Sequence, residues 1–132
     1  MKKILFVLAL FAVSILFTAC PYSAEFPLDT PKEKIDNILL GKWVEKNAIN
    51  KDNPPFYIIS KVDESSYKFE KNDYDPNEKK YKQTAYTGHF TKTGNTNFLN
   101  LKNPDDGKFY FHKIELSADK KDFTLFEVTE VV

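Results

Sequence analysis

From Lys42 to the C-terminus the sequence is a train of short runs rich in Phe, Tyr, Ile, Val and Thr, each ended by a polar turn. Trp43-Val44 starts the first run. Phe56–Val62 follows Asn53-Pro54-Pro55, and Asp63-Glu64-Ser65-Ser66 turns it into Tyr67–Glu70. After the polar stretch Asn72–Lys80 come Tyr81–Lys92, Asn97–Leu101 beyond Gly94-Asn95, Phe109–Leu116 beyond Pro104-Asp105-Asp106-Gly107, and Phe123–Val132. Most of these runs are too short for stable helices. They alternate in polarity and use residues that suit a pleated surface. The spacing predicts a mainly β domain: an antiparallel meander of about seven strands forming a small barrel or sandwich.

The segment before the first run reads differently. Thr30 is an N-cap residue, Pro31 suits the first helical position, and Glu33 completes a capping box. Ile35, Ile38 and Leu39 recur at helical spacing, and Gly41 can end the element. One short N-terminal helix of about ten residues is expected here.

Gly41-Lys42-Trp43, a Gly-x-Trp at the start of the first strand after a short helix, resembles the opening of lipocalin-like barrels. The resemblance covers three residues and the order of elements, in a chain shorter than a lipocalin. It implies a structural role for Trp43, closing one end of the barrel, and carries no ligand with it.

The N-terminus sets location. Met1-Lys2-Lys3 is basic, Ile4–Phe17 is apolar apart from Ser14, and Leu16-Phe17-Thr18-Ala19-Cys20 leads through small residues to the lone cysteine. A basic start, an apolar core and small residues before a cut make a secretory signal. The run falls short of the about 20 residues that span a bilayer, and no basic cluster follows it as a stop-transfer signal. A retained membrane anchor is the alternative. Residues 1–20 resemble the signal peptide and lipobox of bacterial lipoproteins, with Phe17 where an aliphatic residue is usual. The resemblance implies cleavage between Ala19 and Cys20, a diacylglyceryl thioether on Cys20, and a further fatty acyl (palmitate-type) chain on the new amine. Each buried methylene contributes about 0.8 kcal/mol, so two or three chains hold a protein at a membrane durably. The expected organisation is a signal peptide over 1–19, a lipidated cysteine and tether over 20–29, and a single lipocalin-like β domain over 30–132. Ten extended residues reach at most about 33–36 Å, unless Phe26 and Leu28 pack on the domain and shorten that reach. Pro21, not Asp, follows the cysteine. In enteric-type lipoproteins that resembles the default passed to the outer membrane.

Composition narrows the chemistry. All 19 basic residues are lysine, balanced by 19 acids, so a nucleic-acid partner is not expected. With one cysteine no intrachain disulfide can form in an export compartment, and a lipidated Cys20 leaves no thiol for catalysis or zinc. His89 and His112 share no metal-ligand spacing and read as ordinary strand residues. Asp73-Tyr74-Asp75-Pro76-Asn77-Glu78 has a calcium-loop flavour, yet Glu78 stands where a glycine is needed and Thr84 where a bidentate acid belongs. Four glycines and no nucleophile or phosphate-loop motif leave the catalytic residues, metal and cofactors at none.

The aromatics are the excess to explain: 12 Phe, 7 Tyr and 1 Trp, all but Phe6, Phe11 and Phe17 beyond the leader. Several strands carry them on both faces, as in Phe109-Tyr110-Phe111. One face must fill a core, and the other meets a second sheet, a partner or an apolar ligand. The expected function is a lipid-anchored envelope protein that binds a partner protein or a small apolar ligand. The alternative is an envelope enzyme inhibitor or a small hydrolytic enzyme. An open interior favours a ligand; a filled one with an exposed loop favours inhibition; a histidine paired with a carboxylate in a polar cleft reopens catalysis.

Overall fold

Seven strand-forming runs with tight turns between them pair each to the next. A computed structural model describes residues 20–130. The expected signal peptide, 1–19, lies outside the described residues. Strands β1 (Cys20–Pro21) and β2 (Ser23–Ala24) precede the meander, which comprises β3 (Gly41–Val44), β4 (Phe56–Lys61), β5 (Tyr67–Asp75), β6 (Lys80–Thr93), β7 (Thr96–Lys102), β8 (Phe109–Leu116) and β9 (Phe123–Glu127). β10 (Thr129–Glu130) ends it. The eight-stranded antiparallel sheet runs β3-β4-β5-β6-β7-β8, with β9 and β2 sharing the far side of β8, and β1 pairs separately with β10.

Gly94 turns β6 into β7 with φ +61°, a conformation a β-carbon disfavours. The polar stretch 72–80 is mostly strand, not loop. β5 and β6 continue into a solvated hairpin whose turn is Pro76–Lys79, held by the Tyr74–Tyr81 ring contact and by Lys82 Nζ at 2.7 Å from Asp75 Oδ2. Charged and aromatic cross-strand pairs stabilise a hairpin without a core.

Because side chains alternate along each strand, one face of the curled sheet collects Trp43, Ile59, Phe69, Leu99, Leu101 and Leu125. Leu99 is fully buried, as is Tyr67 beside it, and Leu39 enters this core from below β3. The sheet does not close into the expected barrel. Among the described residues no ladder joins β3 to β9; their edges are bridged by side chains, Trp43 against Phe123 at 4.6 Å between centroids and Lys46 Nζ 3.1 Å from Asp122 Oδ2.

The N-terminal helix is also replaced. Only Asn37–Leu39 makes a 3-10 turn, capped by Asp36, whose Oδ1 accepts from Ile38 N at 3.0 Å. Ile35 N donates to Glu64 O at 2.9 Å, and Asp36 N donates to the Tyr67 hydroxyl. These tertiary partners take the backbone donors, so the segment runs across the base of the sheet.

Residues 22–29 lie along the outer face of β6–β8 as a strap. Tyr22 N donates to Val128 O at 3.0 Å, Ser23 and Ala24 pair with Tyr110 and Phe109, and Leu28 N donates to Asn100 Oδ1 at 2.8 Å. Side chains of Phe26 and Leu28 stay outside, 77% and 52% exposed; backbone bonds, with the side chains of Tyr22 and Asp29, do the docking.

Candidate functional site

The concave face is only half filled. Leu39, Tyr67, Phe90 and Leu99 pack its base, and above them lies a partly open cavity of about 840 Å³. Its apolar lining includes Trp43, Ile59, Phe69, Leu101, Phe123 and Leu125. The volume falls within the roughly 300–1,000 Å³ of small-molecule sites, which pair apolar walls with a few polar groups.

The polar groups sit on two walls. On β4–β6, Tyr57 stands in register opposite Lys71, and Tyr86 pairs with Phe69 one inward position away. Burial pushes the Tyr57 phenol up. The Lys71 ammonium is also pushed up, chiefly by Tyr57 and further by Asp73, against a smaller opposing effect of burial. Lys71 Nζ is 3.5 Å from Asp73 Oδ2, a loose and half-exposed pair. Neither the Tyr57 nor the Tyr86 hydroxyl bonds another described residue.

On β8–β9, His112 stands opposite Glu127, with Tyr110 one inward position away on β8. The Tyr110 hydroxyl donates to Asp106 Oδ2 at 2.7 Å. Burial holds His112 below the usual imidazole range, with Glu127 opposing that shift, and its Nδ1 is buried without a partner among the described residues. Trp43 Nε1 is occupied, donating to Leu39 O at 2.8 Å.

The two histidines face opposite ways. His89 is buried on the outer face, where its Nε2 lies 2.8 Å from Asp29 O. Asn100, fully buried, donates to His89 O at 3.1 Å and to Thr91 Oγ1 at 3.0 Å, and Thr91 donates to Asp29 Oδ1. This network holds the strap, and His89 has a structural role in it.

The Asp73–Glu78 carboxylates do not converge. Asp75 Oδ1 accepts from Asn77 N and Glu78 N in the turn, while Lys80 and Lys82 pair with Glu78. Among the described residues no group of three His, Cys, Asp or Glu is placed to hold a metal.

Aromatics on both faces now have a cause. Phe111 packs outward on Tyr22 of the strap at 5.8 Å, while Tyr110 turns into the cavity. Sequence reasoning singled out Trp43, His112 and Tyr110 but passed over Lys71, Tyr86 and Glu127. The signal was there: polar residues recur two positions from apolar ones on single strands, as in Phe69-Glu70-Lys71 and Leu125-Phe126-Glu127. Comparison with protein-family models, curated proteins and solved structures finds no match for this chain.

Proposed function

We propose that this chain is a cell-envelope lipoprotein, lipid-anchored through Cys20, whose curled sheet binds a small, mainly apolar ligand in its interior. The observation that carries the binding half is the open cavity on the concave face, where a small β domain would otherwise be filled by side chains. An inhibitor acting through a loop has no use for that space.

His112 and Glu127 share the cavity, but a general base needs its second ring nitrogen held by a hydrogen-bond partner. Deprotonated at Nε2, His112 would bury an Nδ1–H with nothing to receive it, a cost of about 1–3 kcal/mol. The neutral ring with its proton on Nε2 suits a donor to a bound ligand better than a base.

The anchor half rests on the lipobox-like ending at Cys20. No helix among the described residues is long and apolar enough to cross a membrane. Attachment to the outer membrane is the reading Pro21 supports in a cell with two membranes. Labelling cells with a fatty acid tests the anchor: Cys20→Ser removes the label, and equal label in both chains refutes lipidation. For the cavity, purified protein in phosphatidylcholine vesicles is titrated with an apolar fluorescent acceptor of Trp43 emission, the only tryptophan. Saturable energy transfer is expected, and purely linear partitioning equal to protein-free vesicles refutes the site.

A further inference from the structure

The cavity is asymmetric in what it offers a ligand. On the β4–β6 wall each polar group lining the cavity can donate: the Tyr57 and Tyr86 hydroxyls and the Lys71 ammonium, the last loosely paired with Asp73. The three lie on adjacent strands, with Lys71 in register between Tyr57 and the outer half of β6. Beside them stand the rings of Trp43, in register with Tyr57, and Phe69, in register with Tyr86, and on the β8–β9 wall Phe123 and Leu125 lie with His112 and Glu127. The carboxylates lie on other elements, Glu45 in the turn after β3, near enough to act on Tyr57, and Glu127 on β9 opposite His112. Lys46 and Asp122 already satisfy each other at the rim.

We infer that the ligand is an amphipathic carboxylate, its acid group held by Lys71, Tyr57 and Tyr86 and its apolar body laid against Trp43, Phe69 and Leu125. This rests on the cavity's being a ligand site and adds the chemistry of the head group. A neutral apolar ligand would leave two hydroxyls and an ammonium facing hydrocarbon. A cation would meet Lys71. A carboxylate takes one charge-assisted bond from Lys71 and one or two from the phenols, the strong class of hydrogen bond. It displaces Asp73, whose 3.5 Å contact with Lys71 is exposed and weak. The closeness of the three groups also shows in the raised proton affinity of Lys71, to which both Tyr57 and Tyr86 contribute.

The test uses the full chain in phosphatidylcholine vesicles, with protein-free vesicles as baseline and Trp43 emission as readout. Two probes share one aryl-alkyl body: a carboxylic acid and its methyl ester. The acid is expected to bind about tenfold or more tightly than the ester, a difference of about 1.4 kcal/mol. Lys71→Met should abolish that preference, with an unchanged urea midpoint followed by Trp43 emission reporting an intact fold. Tyr57→Phe should reduce the preference about threefold. Equal binding of acid and ester, or a preference that survives Lys71→Met, overturns the head-group assignment and leaves the cavity site standing. Saturable binding of neither probe overturns both.

Discussion

Asn100 is the residue on which the strap depends most. Its side chain is fully buried between the sheet and residues 28–29, and its amide makes three hydrogen bonds: one accepted from Leu28 N, and two donated, to His89 O and Thr91 Oγ1. Asn100→Ala deletes all three. At a net value of about 1 kcal/mol each the loss is about 3 kcal/mol, and leaving His89 O bare in the interior adds to it. Against a domain stability of about 5–15 kcal/mol this is large. The loss is not spread evenly. Pairing among β3–β9 does not pass through the strap, so residues 22–29 should open before the sheet does. Urea unfolding followed by Trp43 emission reads the sheet, and limited proteolysis with mass mapping reads the strap. The expected result is a midpoint lowered by about 3 kcal/mol equivalent and new cleavage confined to 22–30. A loss under about 1 kcal/mol with the strap still protected would show that this network does not hold it.

Three further outcomes follow from other sites. Gly88→Ala places a methyl 3.0 Å from Leu101 Cδ2, 3.1 Å from Phe69 Cε2 and 3.2 Å from Asn100 O, so an overpacking cost of about 1–3 kcal/mol should appear in thermal melting. His112 is held below its usual proton affinity mainly by burial. As pH falls through about 6.5 the unfolded chain takes a proton that the folded chain refuses, so stability should decline from pH 7 toward 5 and level off once the folded ring also titrates. His112→Phe should lose that decline when unfolding is followed across the pH series. Trp43→Ala removes the Phe123 contact across the open seam and the bond to Leu39 O, and a loss of about 2–4 kcal/mol in urea unfolding is expected, since the ring is only partly buried.

The strands were legible because each run carries its own signal. Phe56, Tyr67, Phe109 and Phe123 all begin strands where the sequence changes from turn residues to aromatics. The helix was misread for a reason of the same kind. Thr30-Pro31-Lys32-Glu33 is a fair local helix start, but Glu64 O and the Tyr67 hydroxyl, both distant in sequence, claim the donors of Ile35 and Asp36. Local propensity is a weak prior when tertiary partners are on offer. The strap could not be read either, because backbone bonds to Asn100 and β8 leave no periodicity in residues 22–29. Nor could the open seam: closure depends on how far the sheet curls, and the β9 run reads alike whether or not it pairs with β3.

The pairing of Cys20 with Glu130 joins the first described residue to the last, and it sets an order of events. A chain that emerges N-terminus first delivers Cys20 at the beginning and β10 at the very end. The nearest-neighbour hairpins from β3 to β9 close small loops and can form as they appear, whereas β1 must wait for a partner 110 positions downstream. During that interval the strap, docked on β6–β8, is what holds the chain next to Cys20. Once Thr129 and Glu130 arrive, the backbone of Cys20 and Pro21 is held in a two-stranded ladder. If Cys20 carries the proposed lipid, this order lets the thiol be modified before its backbone is fixed by β10.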